Sequence, residues 1–339
     1  MKPKFSKEQN YQTLLQQISE TFTNHKNKAI KLVNTEIVNA YWYIGRYIVE
    51  FEQAGNIKAE YGKYLLIQLS KDLKVRLGKG FSRSNLYLMK NFYLAYPIVQ
   101  TVSGQLSWSH YIELLGISDE LERNFYEQQT ILEKWSVREL KRQKKTALFQ
   151  RLALSKDKKT ILELSKKGNL IKSVDDIQKD PYVFEFLGLP ENNLFSEAEL
   201  EERLLNKLQQ FLLELGKGFA FVGRQYRITL NNRHYRVDLV FYHYILKCFV
   251  LIDLKVDKIH HHDIGQMNLY INYFKTEERQ ENDNEPIGII LTKEKDDILV
   301  EYATGGITNQ LFVSKYQIYL PDKEVLKQEV QKILTENND

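Results

Sequence analysis

The chain has 339 residues, 43% of them hydrophobic, enough to bury sizeable cores and to build two domains. A formal charge of +4 is mildly basic and does not by itself mark a nucleic-acid binder. No run of about 18 apolar residues is present, which argues against a membrane-spanning helix. The single cysteine, Cys248, excludes an intramolecular disulfide, fits a reducing compartment and lies in an apolar run where it reads as a small buried side chain. The opening MKPKFSKEQNYQ lacks the apolar core of a signal peptide, so a soluble, cytoplasmic protein is expected.

From about Tyr11 to Glu52 the chain reads as one long helix, with Gly45 as its only glycine and Leu32, Ile37, Ala40, Tyr41, Ile44 and Ile48 at roughly helical spacing. Tyr61–Leu77 repeats the pattern with Leu65, Leu66, Leu69, Leu73 and Leu77. The break Gly78-Lys79-Gly80-Phe81 ends in Ser82, a helix N-cap, and the next helix runs from Arg83 to Tyr96, before Pro97. Its Leu86, Met89 and Tyr93 face inward, leaving Arg83, Tyr87 and Lys90 outside. A helix, a short glycine turn and a helix with a basic-aromatic face fit a winged-helix or helix-turn-helix DNA reader, or an ordinary helical hairpin with a solvated face. Trp42, Trp108 and Trp135 read as packing anchors, and His110 as a packing or polar-contact residue. RELKRQKKTALFQR (138–151) and KDKKTILELSKK (156–167) read as an exposed connector, tracking a phosphate backbone or simply solvated. The expected domains are 1–150, helical, for DNA binding and assembly; 151–172, connector; and 173–339, catalytic.

Asp180-Pro181 opens a short apolar motif, and Ser196–Leu215 is a strong helix with one broad leucine face. Three apolar runs follow, Phe219–Leu230, Tyr235–Tyr242 and Cys248–Val256. Asn231-Asn232, which tolerates the positive φ of a tight hairpin, separates the first two. The second run carries Asp238 and the third Asp253 and Lys255, charges that are costly in such strands unless paired. With a two- or four-residue loop centred on Ile245-Leu246, Asp238 lies across from Asp253, with Cβ atoms roughly 4.5–5.5 Å apart. Lys255 then projects from the face of Asp253 by the period of two. Two acids and a lysine on one patch suit a divalent metal, which takes carboxylates, water and substrate phosphate. An odd-length loop would split the acids between faces. Three consecutive histidines, His260–His262, cannot converge on one ion and read as a solvated loop. His243 reads as a better candidate for supporting a metal ligand. Asp263–Phe274 is helical, Pro286–Thr292 and LFVSKYQIYLP (311–321) are strands, and a polar helix closes the chain.

Asp238 followed fifteen residues later by Asp253-Leu-Lys255 resembles the D…(D/E)xK signature of the PD-(D/E)xK nuclease superfamily. FLLELGKGFAFVGRQY (211–226), VDLVFYH (237–243), GQMNLYINY (265–273), DPYVFEFLGL (180–189) and PIGIILTKEKDDILVEYA (286–303) are more specific and resemble the YhcG-like family. The likeness extends over the N-terminal helices. It implies an α+β architecture: an all-α N-terminal domain, winged-helix or helix-turn-helix-like, followed by a restriction-endonuclease-like αβββαβ domain. It further implies a metal-dependent endodeoxyribonuclease using Mg²⁺ or Mn²⁺, with DNA as partner and a role in genome defence or DNA repair. Asp238 and Asp253 would hold the ion and Lys255 would orient water. Glu201, beside the easily confused Glu202, would add a helix carboxylate, and Gln266 would lie near the scissile phosphate. Arg224 and Gln225 match the family's GRQ element and would touch nucleic acid, with Arg83, Tyr87 and Lys90 on the helical domain. Position 253 is more often Glu in that family, so this site carries a shorter acid. A symmetric homodimer would let one site per chain cut both strands. The alternatives are a non-catalytic DNA-binding subunit of a restriction or defence system, and an RNase using the same site.

Overall fold

The computed structural model describes residues 7–53, 59–99, 102–154, 156–179, 181–189, 195–305, 307, 310–320 and 322–336. Asp180, Pro321 and the first six residues, each part of a motif read above, lie outside the described residues. In chain order the helices are α1 Lys7–Gln53, α2 Ala59–Leu77, α3 Arg83–Ala95, α4 Trp108–Leu115, α5 Glu120–Glu133, α6 Val137–Lys145, α7 Leu148–Ala153 and α8 Lys158–Lys167. Strand β1 Tyr182–Val183 precedes α9 Glu197–Asn206 and α10 Leu208–Leu215. The three long strands are β2 Phe219–Leu230, β3 Arg233–His243 and β4 Cys248–Lys258. Then come α11 His261–Tyr273, β5 Ile287–Glu294, α12 Asp297–Thr304, β6 Gln310–Gln317 and α13 Lys323–Glu336. The chain divides into two compact units, residues 1–123 with 135–140, and residues 124–134 with 141–339, so that the division passes through α5 and α6.

The first unit is helical. Ser82 caps α3 by accepting from the Asn85 N–H (3.1 Å), as its type and place predict. Ile48, Leu66, Leu86 and Met89 form the centre of its core, with Phe92 also fully buried. The inward stripe of α1 differs from the one its spacing predicts. Val38, Trp42, Ile48 and Val49 are buried, whereas Leu32 and Ile37 are exposed. The reason is Gly45: a Cβ there would run into the Met89 carbonyl of α3. The close approach of α3 at this one residue sets which side of α1 is covered. Trp42 and Trp108 are indeed anchors, donating to Tyr96 O (2.6 Å) and Asn85 Oδ1 (2.9 Å). His110 makes polar contacts only, between Ser107 (2.8 Å) and Trp135 O (3.1 Å), and burial holds its pKa below the ordinary value.

The second unit is built on a six-stranded sheet of order β1-β6-β5-β4-β3-β2. β2, β3 and β4 form an antiparallel meander, and β4, β5 and β6 run parallel. The helix, three strands, helix, strand order agrees with the expected αβββαβ core. Asn231 and Asn232 both take positive φ (44° and 61°) between Leu230 and its partner Arg233, the two-residue hairpin expected of Asn-Asn. One sheet face packs Leu200, Leu204, Phe211 and Leu215 of α9 and α10; the other packs Ile264, Met267, Tyr270 and Ile271 of α11. The single helix expected over Ser196–Leu215 is broken at Lys207, which leaves helical geometry (φ −120°, ψ 35°).

The exposed reading of the basic run is corrected at two arginines, while Arg138, Lys141, Lys145, Lys159, Lys166 and Lys167 are exposed as expected. Arg151 is fully buried and pairs with Glu214, also fully buried, at 2.6 Å, while Arg142 pairs with Glu185 (3.2 Å) and Glu214 (3.4 Å). Glu214 also accepts from the Val183 N–H (2.9 Å), and Lys179 donates to its main-chain carbonyl. Burial alone would raise the Glu214 pKa, but Arg151 and Lys179 hold it below the usual carboxylate range. A buried carboxylate requires such partners, which is why two arginines of a charge run turn inward.

Candidate active site

The β3–β4 ladder runs from His243↔Cys248 to Leu239↔Ile252, across a four-residue loop that includes Ile245 and Leu246. Ile-Leu is poor turn chemistry, and the loop is held otherwise: Lys247 takes φ 49°, and the buried His243 accepts from Leu246 N (3.1 Å). His243 Nε2 then faces Lys217 O (3.1 Å), and burial lowers its pKa. A side chain at Gly218, which has φ +105°, would strike this ring. His243 therefore braces the β3–β4 turn instead of supporting a metal ligand.

Continuing the ladder by one residue brings Asp238 and Asp253 together. Asp238 Oδ2 accepts the Leu254 N–H (2.8 Å), and its carboxyl is in hydrogen-bond contact with that of Asp253. Lys255 Nζ lies 2.8 Å from Asp253 Oδ2, on the same side, as the period of two requires. Asp253 is only 4% exposed. Burial and the Asp238 carboxylate outweigh Lys255 and push its pKa up to about 7. Burial works against the Lys255 charge, but Asp253 and Glu197 raise its pKa above the usual lysine value.

The helix acid is Glu201, which is buried, while Glu202 is exposed. Glu201 Oε2 accepts from Gln225 Nε2 (2.5 Å), and the same nitrogen reaches Asp238 Oδ1 (3.0 Å). Burial and Asp238 raise the Glu201 pKa against the Gln225 bond. Gln225 holds the two acids from a backbone at φ 46°, the left-handed region that a non-glycine residue enters at a cost. Arg224 is exposed beside it and lines a cleft of about 780 Å³ with Glu197, Glu201, Glu202, Gln225, Arg236 and Asp238.

Gln266 meets the acid pair through Tyr270, a tyrosine whose pKa burial and the neighbouring Asp253 and Asp238 raise. It sits in the second turn of α11 and donates to the buried Tyr270 hydroxyl, which in turn donates to Arg236 O (2.8 Å). The three histidines are not a loop. His260 caps α11, its N–H bonded to Asp263 Oδ2 (2.7 Å), and His261 and His262 lie exposed on the first turn. On the first unit Arg83 and Tyr87 are exposed, but Lys90 is tied to Glu52 at 2.6 Å, which removes one cation from the expected basic face. Cys248 is buried, and burial pushes its thiol up to about 12, an inert group.

Three residues escaped the sequence reading. Glu197 (3.6 Å) and Asp263 (3.9 Å) both approach Lys255 Nζ, and Arg236 lines the cleft two residues before Asp238. Glu197 stands one helical turn before Glu201 and Arg236 one strand period before Asp238, so periodicity carried a signal for both.

The donor set suits a hard divalent cation: oxygen ligands only, with two carboxyl groups in contact whose mutual repulsion a cation would relieve. Among the described residues no three His, Cys, Asp or Glu side chains converge on a single metal position. Glu201 is thus linked to the acid pair through Gln225 and does not form a three-carboxylate cage with it.

The YhcG PDDEXK nuclease domain family matches residues 175–332, and the DUF1016 N-terminal domain family matches residues 17–151. Nucleases of the PDDEXK type generally use divalent metal ions. An Escherichia coli (strain K12) protein, "Putative nuclease YhcG", is 38% identical over 352 residues, covering 94% of this chain and 93% of that protein. Two solved structures show local likeness. One is a repair endonuclease from Pyrococcus abyssi (19% identity, TM-score 0.27, 38% of this chain). The other is EndoMS in complex with double-stranded DNA (16% identity, TM-score 0.26, 40% of this chain). The chain spans half the length of each of these two. From the match along nearly its whole length, the chain belongs to the YhcG family of PDDEXK nucleases.

Proposed function

We propose that this protein is a divalent-cation-dependent endonuclease that hydrolyses DNA phosphodiester bonds, acting in the cytoplasm in genome defence or DNA repair. The observation that carries the reading is the contact of Asp238 with the buried Asp253, with Lys255 at 2.8 Å. Asp238 also borders a cleft walled by Arg224 and Arg236. Asp238 and Asp253 would hold Mg²⁺ or Mn²⁺, which supplies Lewis-acid stabilisation of the phosphoryl charge. Lys255, kept protonated by its acidic neighbours, offsets negative charge in the transition state and orients the attacking water. Glu201 and Gln225 hold Asp238 in place from the helix side, both amide hydrogens of Gln225 being spent on the two acids. Arg224 offers a planar guanidinium to the strand.

A double-strand break needs two such sites, and a homodimer is the simplest source. The N-terminal half of α1 supports this, with Leu14, Leu15, Ile18 and Phe22 all exposed. The decisive experiment incubates purified protein with plasmid, branched DNA and RNA in Mg²⁺, in Mn²⁺ and in EDTA. The reading expects DNA cleavage that EDTA stops. Cleavage of RNA alone moves the substrate, and no cleavage of any of the three rejects the activity. Light scattering of the free protein and its DNA complex tests the dimer, and a monomer in both rejects it.

A further inference from the structure

Beyond Asp238 the sheet forks. β4 continues along β5 as far as Lys258↔Glu294, while β2 and β3 pair with each other alone, out to Leu230↔Arg233. The result is a two-stranded ribbon with two unlike faces. Tyr226, Ile228, Tyr235 and Val237 pack into the cluster built around α11. The Tyr226 hydroxyl donates to Glu278 (2.7 Å), and Tyr270 holds the Arg236 carbonyl (2.8 Å), so the ribbon is fastened to the body of the domain.

The other face carries rungs of opposed residues: Arg227 across from Arg236, then Thr229 across from His234. The rung before them is Gln225 with Asp238, bonded at 3.0 Å. Arg227, Arg236, Thr229 and His234 are all exposed, and Arg236 lines the cleft with Glu201 and Asp238. Arg227 leans over the His234 ring (Nη2–Nε2 2.9 Å), and Thr229 Oγ1 also meets that ring (3.0 Å).

Two arginines directly opposed on a strand pair repel, and such a pair destabilises the ribbon that carries it. An arrangement that costs stability, one rung from Asp238 and with Arg236 lining the cleft of the acids, calls for an anion between the two cations. Two residues along a strand advance about 7 Å, comparable to the step between successive phosphates of an extended nucleic-acid strand. We infer that Arg227 and Arg236 form a phosphate clamp that grips the backbone of the cut strand one nucleotide from the scissile bond. The clamp rests on the nuclease reading and adds to it the path of the strand, from the acid rung outward along the ribbon. Guanidinium forks suit it, since each can take two phosphate oxygens. Gln266 acts on the clamp through Tyr270 and the Arg236 backbone, as a positioning residue.

The test measures binding of a labelled DNA duplex by the full chain in EDTA, over a range of salt concentrations. Arg227→Ala/Arg236→Ala should weaken binding roughly ten- to hundredfold. The slope of log affinity against log salt should become shallower by about two, one for each lost phosphate contact. Arg227→Lys/Arg236→Lys should restore most of the slope. Arg233→Ala, on the opposite face of the same ribbon, should change the affinity less than threefold. The thermal midpoint of the double alanine variant should not fall, because the opposed charges contribute no stability. Unchanged affinity and slope in the double variant, or an equal loss in Arg233→Ala, overturns the clamp. If wild type still cuts DNA with Mg²⁺ while the clamp variants bind normally, the clamp alone is rejected. If wild type neither binds DNA in EDTA nor cuts it with Mg²⁺, the nuclease reading falls with it.

Discussion

Asp238 accepts the Leu254 N–H through its side chain, at 2.8 Å, one residue past the last backbone pair of the β3–β4 ladder. The carboxylate thus occupies the place a strand carbonyl would otherwise take, and there the two strands part. The same hydrogen bond holds Asp238 against Asp253, whose own side chain is buried at the fork. An acid pair is therefore built into the geometry that opens the cleft.

Asp253→Asn tests the metal reading. It removes a formal charge with little change in volume and should lower divalent-dependent cleavage by about 10²–10³. In EDTA the variant should melt no lower than wild type, because repulsion with Asp238 is relieved. Lys255 retains Glu197 (3.6 Å) and Asp263 (3.9 Å), so it is not orphaned. Excess Mg²⁺ should raise the midpoint of wild type more than that of the variant. A variant that is destabilised in EDTA by the roughly 3–5 kcal/mol of a broken buried pair would show a structural role instead.

Gln225→Gly separates strain from function. Glycine accepts the φ of 46° freely, recovering about 1 kcal/mol of backbone strain, but it deletes the amide that spans Glu201 and Asp238. The variant should cleave at least tenfold more slowly with a thermal midpoint equal to or above that of wild type. A large fall in the midpoint would show that the bridge matters chiefly to the fold.

On the helical unit, Arg83→Ala should weaken DNA binding and flatten the salt slope by about one. Lys90→Ala should leave the slope unchanged, since Glu52 already neutralises that ammonium at 2.6 Å. Equal effects from the two substitutions would count against this assignment, and no effect from either would remove the surface from DNA contact.

Lys179 carries a pH signature remote from the acid pair. Burial lowers its pKa from 10.5 to about 8, against the attraction of Glu214. Between those values the unfolded chain holds a proton that the folded chain has released, so this residue makes stability rise with pH across the window. The penalty is fully present below about pH 8 and relieved by pH 10.5. Subtracting the unfolding free energy of Lys179→Met from that of wild type should give a difference that climbs from pH 8 to 10.5, by at most about 1.4 kcal/mol per pH unit. A flat difference would mean that the ammonium remains charged beside Glu214.

Much of the second unit was legible because its signals are local. Asn231-Asn232 is a turn by its own backbone preference, and the period of two puts Asp253 and Lys255 on one face in any strand that contains them. Once the loop between β3 and β4 has four residues, the register of Asp238 against Asp253 follows from counting. What only the tertiary structure decided are contacts between elements distant in sequence, which no period specifies. The spacing of α1 proposed Leu32 and Ile37 as core, yet the approach of α3 at Gly45 buried Val38 and Trp42 instead. Residues 138–151 read as a solvated charge run, yet Glu214, 63 residues beyond Arg151, required cations and drew Arg142 and Arg151 inward. Gln266 satisfied a family pattern, and only packing showed that Tyr270, one turn along its own helix, stands between it and the acids. Composition and periodicity state which side chains can be buried. Which charged group meets which depends on the free energy of burying each one, and that is settled only when the elements pack.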